Sequence, residues 1–426
     1  MMHPGNNDPD QHLHQLTAHL FRENSGKMAA VLSRMFGLHQ IDLVLDVIQD
    51  TFETALIRWR FAGIPDNPSG WLMQVAKNKA INTFKRAHKT QGLPPGYEAT
   101  ADEHIEDPDL SDHAIQDSQF KLLVACCQPG FSVRNNILLT LHILCGFGVP
   151  ELANALLMKA EAVKKALTRC KLSLKGLGHV LQEPGSYQSA KQLSTLHTIL
   201  YLTFNEGYKT TRGKAGINND LCYEAIRLAK LLLHANNTTP HETHALLALL
   251  FFNLSRFPAR LSQDGEWLTL EEQDRSQWHQ VFIAEGFYYL SNATASDTLS
   301  RFHLEAMISS LHCTAATFAA TDWKKIVFLY QQLEVLEPDS PYIALNRIIA
   351  ESYLQNTTAG IKKIELLEKR AALEKAFLFP AAKGDLYRRM GLFDKARSAY
   401  QLALELAVAP LDKKFLQKMV TRCGAS

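Results

Sequence analysis

Apolar residues recur at steps of three and four along nearly the whole chain, and no sustained alternation of apolar and polar positions competes with them. That period predicts an all-α protein. Residues 14–90 read as a set of amphipathic helices forming one domain. The pattern then fails: residues 91–117 are polar, Pro-containing and acidic, with Glu98, Asp102, Glu103, Glu106, Asp107, Asp109, Asp112 and Asp117, as expected of a flexible linker. Helical periodicity returns over residues 118–178 as a second small domain, and a long helical region occupies residues 188–426.

Within the first domain, GWLMQVAKNKAINTFKRAHK at residues 70–89 reads as a helix without a single acid. On a 3.6-residue wheel, Leu72, Ala76, Ala80, Thr83 and Ala87 share one side, flanked by Met73 and Phe84. The other side carries Trp71, Asn78, Asn82, Lys85 and Lys89, with Arg86 adjacent. Cations neutralise phosphates, amides hydrogen-bond base edges and an aromatic stacks on an unpaired base, so this face suits nucleic acid. A plain solvated basic helix has the same composition.

In the second domain, GFGVPELANALLMKAEAVKKALTRCKLSLKG predicts a helix over 149–157, a turn near 158–160 and a second helix to about residue 174. This is helix–turn–helix layout. Val163, Ala166, Leu167, Cys170 and Leu174 form the expected buried stripe of the second helix. Glu161, Lys164, Lys165, Thr168, Arg169 and Leu172 face outward, with Lys171 and Lys175 at the edges. Glu161, Lys165, Thr168 and Arg169 are placed to reach major-groove edges.

The last region predicts successive helices over 322–337, 341–355, 358–373, 375–390 and 393–407. Gly384, Tyr387, Gly391, Ala396, Tyr400 and Ala403 hold the small and aromatic positions of a tetratricopeptide repeat, which makes a stacked, TPR-like array the expectation.

Composition adds little to fold and more to exclusion. Of 426 residues, 46% are hydrophobic, enough for several cores, and the net charge of +2 confines any electrostatic function to local asymmetry. The seven Cys contain no CxxC pair, which suits a reduced, cytoplasmic chain. No run of about 18 apolar residues occurs, so no membrane contact is expected. HETHA at 241–245 spaces its histidines by three rather than four, so it reads as a helix start and not as a zinc site. No phosphate loop or nucleophile elbow is present; neither enzyme activity, a metal nor any cofactor is expected.

Taken in order, LDVIQDTFETALIRW at 45–59 and PDNPSGWLMQVAKNKAINTFKR at 65–86 resemble domain 2 of extracytoplasmic-function RNA polymerase sigma factors, within the sigma-70 family. The 118–178 unit resembles their domain 4. YLTFNEGY at 201–208, LCYEAIRLAKLL at 221–232, EEQDRSQW at 271–278 and ALNR at 344–347 are similar to the subfamily with a long helical C-terminal extension. The resemblance implies core RNA polymerase and promoter DNA as partners. It implies core-polymerase contact through Asp46, Gln49, Asp50 and Thr54. It implies −10 element contact through Trp71, Asn78, Asn82, Lys85, Arg86 and Lys89, with Trp71 equally suited to packing. The −35 element would fall to Glu161, Lys164, Lys165, Thr168, Arg169 and Lys171. The chain departs from the family at Cys126-Cys127-Gln128-Pro129, where a His is usual, and in its reading helix, where Arg is commoner. The expected function is therefore promoter selection and melting, with a regulatory extension that contacts the sigma domains or another protein. A helical-repeat scaffold with a degenerate sigma region is the competing reading, and it predicts no promoter selectivity.

Overall fold

The computed structural model describes residues 9–90, 108–127, 130–156, 158–177, 190–208, 219–234, 240–295, 299–354, 357–371 and 376–424. Among them the chain is all-α: helices joined by turns, with no strand beyond one isolated bridge between Leu261 and Trp267. Most of the expected linker and the start of the expected extension lie outside the described residues. Contacts divide the chain into two compact units, residues 1–200 with 234–238, and residues 201–233 with 239–426.

The first unit opens with α1 (Pro9–Phe36), which buries Met28, Ala29, Ala30, Val31 and Leu32. Gly37 at φ 81° turns the chain through a short 3-10 turn, Leu38–Gln40, into α2 (Ile41–Ala62). The buried stripe of α2 is Val44, Val47, Ile48, Thr51, Phe52, Ala55 and Trp59. It ends at Gly63, whose φ of 80° is open to glycine at little cost and whose N–H donates to the Trp59 carbonyl at 3.1 Å. Asn67 then caps α3 (Pro68–Thr90) by accepting from the Gly70 N–H at 2.9 Å, with Pro68 preset for a first helical turn. The Phe36 and Phe84 rings stack at 3.7 Å and tie α3 to α1.

Ser111 and Ser132 cap α4 (Asp112–Cys126) and α5 (Val133–Leu144) through their hydroxyls. The short α6 (Val149–Ala155) and then α7 (Ala160–Lys175) follow. α1 packs on α4 and α5 as well as on α2 and α3, so both halves of this unit share one core. The approach is close: a Cβ on Gly26 would fall 2.0 Å from the Leu144 carbonyl oxygen.

The second unit contains the end of α8 (Ala190–Tyr208), α9 (Asn219–His234) and α10 (Pro240–Ser255). α10 buries nearly every residue from Thr243 to Ser255, as expected of a helix surrounded by others. α11 (Gln280–Ala293) and α12 (Arg301–Thr314) pack on it, and Gly286 lets α11 cross the Phe252 ring, where a Cβ would stand 2.5 Å away. Then α13 (Trp323–Leu336), α14 (Pro341–Glu351), α15 (Thr357–Ala371), α16 (Leu378–Arg389), α17 (Phe393–Leu406) and α18 (Pro410–Gly424) each pack on the next. The helices match the sequence pattern but are shorter at several ends: α14 stops at Glu351 and α16 starts at Leu378. The core is layered, with Leu345, Ile348, Ile364, Phe379 and Leu386 in one cluster and Ala396, Tyr400, Leu416 and Met419 in the next. α18 also reaches back to the segment before α11. Lys414 donates to the Asp264 carbonyl at 3.1 Å, Lys418 meets Glu266 at 3.3 Å and Arg422 meets Glu272 at 2.6 Å.

Candidate nucleic-acid interface

α3 is held by its apolar side. Leu72, Met73, Ala76, Ala80 and Phe84 are buried, while Thr83, expected on that side, is exposed and spends its hydroxyl on the Lys79 carbonyl at 2.8 Å. Lys79 fixes α3 to α2: its ammonium donates to the Asp50 carbonyl and to the Thr54 hydroxyl, both at 2.7 Å. Asn78, Asn82, Lys85 and Arg86 are then left exposed along one face. Asn78 accepts from the Gln74 amide at 3.3 Å, which orients its own NH2 group as a donor. Trp71 is half-buried, its ring 5.3 Å from the buried Trp59, so packing employs much of its surface. The side chain of Lys89 lies outside the described residues.

On α2, Asp46, Gln49 and Asp50 are exposed, and Gln49 donates to Glu53 at 3.2 Å. Thr54 differs: it is half-buried and its hydroxyl is engaged on both sides, donating to the Asp50 carbonyl at 2.8 Å and accepting from Lys79. The Thr54–Lys79 contact ties α2 to α3. Sequence reasoning missed a neighbouring feature. Ile57 and Phe61 near the end of α2 and Ile64 just beyond it stand 64%, 84% and 42% exposed. They fall off the buried stripe, which is the signal that would have found them.

α7 matches the expected register. Val163, Ala166, Leu167, Cys170 and Leu174 are buried. Glu161, Lys164, Lys165, Thr168 and Arg169 are exposed on the opposite side. Glu161 pairs with Lys164 at 2.9 Å, the Thr168 hydroxyl donates to the Lys164 carbonyl at 3.0 Å, and Arg169 donates to the Lys165 carbonyl at 3.4 Å. Lys171 behaves otherwise. Its ammonium and that of Lys175 each lie 2.6 Å from Asp42 of α2. Partial burial pushes the Asp42 carboxyl up, but the hydrogen bonds and charges of the two lysines outweigh it and hold it below the usual range.

Several other polar groups serve structural contacts. Cys126, Cys127, Cys145 and Cys170 are buried, and burial pushes the Cys127 thiol up to about 12, far from the reactive thiolate range. Gln128 and Pro129 lie outside the described residues, and among those described no cluster able to hold a metal occurs. Arg275 donates to the His312 and Ala315 carbonyls, and it lies over the Trp278 ring at 4.9 Å. Asp274 caps the short turn at Arg275–Gln277. His241 starts α10 with its ring nitrogen 3.0 Å from the Asn292 carbonyl. A groove of about 430 Å³ runs between α15, α16 and α17, lined by Glu365, Lys383, Tyr387, Asp394, Lys395 and Leu402. No helix among the described residues is long and apolar enough to cross a membrane.

Residues 20–90, which contain α2 and α3 entire, match sigma-70 region 2. Residues 192–294 match a family of unknown function, DUF6596. Uncharacterized protein R00370 of Rhizobium meliloti (strain 1021) is 32% identical over 389 residues, covering 89% of this chain and 91% of the relative. No solved structure matches.

Proposed function

The chain belongs to one family with the Rhizobium meliloti protein and carries a sigma-70 region 2 domain at residues 20–90, and from that premise we propose that it is an RNA polymerase sigma factor of the extracytoplasmic-function type. Sigma-70 membership implies binding to core RNA polymerase and promoter DNA. The observation that carries the reading is α3: buried on its apolar side, free of acids, and exposing Asn78, Asn82, Lys85 and Arg86 in line within the matched segment.

In this reading residues 14–90 act as domain 2. Asp46, Gln49 and Asp50 face the polymerase, with Thr54 behind them. α3 captures exposed bases of the −10 element, and Lys85, Arg86 and Lys89 neutralise the strand. Residues 118–178 act as domain 4, with α7 reading the −35 element through Glu161, Lys164, Lys165, Thr168, Arg169 and Lys171. No covalent step is assigned; promoter opening draws on the binding of unpaired bases and on polymerase contacts. The chain works in the cytoplasm. Residues 188–426 form a TPR-like extension that regulates the factor, a role supported by the layered packing of α13 to α18 and by the groove on α15 to α17.

Run-off transcription with purified core polymerase, the full chain and a genomic promoter library tests this. Discrete transcripts that require the chain are expected. Failure to bind core polymerase, together with no transcripts, would return the weight to a helical-repeat scaffold using that groove.

A further inference from the structure

We propose that the second unit carries a binding site for a small phosphate-bearing anion, formed by the guanidinium groups of Arg256, Arg260 and Arg275 around the Trp278 ring. Arg256 and Arg260 flank the short 3-10 turn Phe257–Ala259 that follows α10. Arg275 opens the turn Arg275–Gln277 ahead of α11, and the two turns pack together. The Arg256 and Arg275 guanidiniums lie 5.5 and 4.9 Å from the centre of the Trp278 ring. Arg260 lies 3.5 Å from the centre of the Tyr208 ring and 4.7 Å from that of Trp267. The three make one charged neighbourhood, in which Arg256 repels both of the others.

All three arginines are half-buried, yet among the described residues no carboxylate pairs with any of them. Acids of the same segment are committed elsewhere: Glu266 to Lys414 and Lys418, Glu272 to Arg422, and Asp274 to Ser276 and Gln277. Neutral acceptors take only part of the donor capacity. Arg256 donates to the Gln273 side chain at 3.2 Å and Arg260 to the Tyr208 carbonyl. Arg275 donates to the His312 and Ala315 carbonyls and to the Thr321 hydroxyl. A guanidinium offers more donors than that, so Arg256 and Arg260 each keep most of their N–H groups for another acceptor. Burial, with the Arg256 charge beside them, holds Arg260 and Arg275 below the usual guanidinium range, a penalty that a bound anion relieves. Trp278 is an independent sign. It is 3% exposed, and its indole N–H meets no acceptor among the described residues, which is costly for a buried donor.

The donor set selects a phosphoryl group. A monocarboxylate brings a single charge and would leave the other guanidiniums uncompensated. A phosphate brings about two charges and roughly three strong acceptor oxygens, and a planar guanidinium fork meets two of those oxygens at once. The site lies in the unit proposed to regulate the factor, but it stands apart from the sigma-factor reading, since its test needs neither polymerase nor promoter.

The test is isothermal titration calorimetry of inorganic phosphate, pyrophosphate and succinate into the full chain at constant ionic strength, with amide hydrogen exchange on the same samples. Arg256→Gln removes one charge, and Arg256→Lys keeps the charge but loses the fork. Lys324→Gln makes the same charge change at an exposed position of α13 and serves as control. Phosphate or pyrophosphate should bind at one site. Arg256→Gln should weaken that binding about 10- to 100-fold, Arg256→Lys should weaken it less, and Lys324→Gln should leave it unchanged. In the wild type the ligand should raise amide protection across residues 255–279. Succinate binding more tightly than both phosphates would overturn the ligand class. No binding of any of the three, or binding that Arg256→Gln leaves unchanged or Lys324→Gln weakens equally, would overturn the site. If Arg256→Gln does not fold, exchange on the wild type decides: protection that rises elsewhere and not across residues 255–279 would overturn the site as well.

Discussion

Gly384→Ala adds one methyl group where α16 crosses α17, and the structure fixes what it meets. The new carbon would stand 2.9 Å from Cδ1 and Cε1 of Tyr400 and 3.0 Å from Cγ, against a contact optimum of about 3.5–4.0 Å. Tyr400 is 2% exposed and its hydroxyl is hydrogen-bonded to Arg388, so the ring cannot swing aside. The helices must part by roughly 0.5–1 Å, an overpacking cost of about 1–3 kcal/mol. Replacing glycine inside a helix returns about 0.5–1 kcal/mol. The net is a loss of about 0.5–2 kcal/mol, localised at α16 to α18. Gly360→Ala is the internal comparison: its methyl meets first the Cδ1 end of Leu386, a flexible side chain, at 3.1 Å. That variant should be neutral or slightly stabilising. Because a chain of two compact units need not unfold in one step, the assay is amide hydrogen exchange read by peptide. Protection in α16 and α17 that is equal or higher in Gly384→Ala than in wild type would refute the close-packing account.

Asn78→Ala combined with Asn82→Ala should cut heparin-resistant promoter complexes by about 10-fold or more while core-polymerase affinity stays within about 2-fold, measured in parallel by gel shift and fluorescence anisotropy; an equal loss in both would place these amides at the polymerase instead. His312 is half-buried and held neutral: desolvation first, and then Arg256 and Arg275, push its pKa down from 6.5 to about 3. Below about pH 6.5 the unfolded chain therefore takes a proton that the folded unit refuses, and stability falls as pH drops. The loss should reach about 1–2 kcal/mol by pH 5 in urea unfolding followed by tryptophan fluorescence, and His312→Gln should flatten it.

Much of the α7 surface was legible because a single period governs it: every member of the expected stripe, from Val163 to Leu174, is buried. The same wheel placed Asn78, Asn82, Lys85 and Arg86 outward correctly. It failed at Thr83, where a small β-branched residue reads as apolar but its hydroxyl is satisfied by the preceding turn in solvent. It also gave no warning of Lys77, buried at 8% exposure on the core side. The Thr54 hydroxyl was read as a partner contact because its use by Lys79 depends on how α2 meets α3, which no spacing encodes. Gly26 and the Asp42–Lys171 pair were invisible for the same reason. Each is a meeting of distant segments, and neither a glycine in a helix nor an exposed acid announces its neighbour. The groups proposed to touch polymerase were read from resemblance alone, whereas the wheel had already set the proposed DNA-facing groups Asn78, Asn82, Lys165 and Arg169 on outward faces, where they are exposed.

The return of α18 to Glu266 and Glu272 bears on how this architecture can change over time. An open stack of helix pairs lengthens or shortens by duplicating or dropping a pair, since each pair meets only its neighbours. Here an inserted pair would displace Lys414, Lys418 and Arg422 by the thickness of two helices, about 20 Å, from the carboxylates they hold. The number of pairs between residues 272 and 410 is thereby set by a distance rather than by the repeats themselves. Descendants of this fold should vary in the sequence of those helices far more readily than in their number.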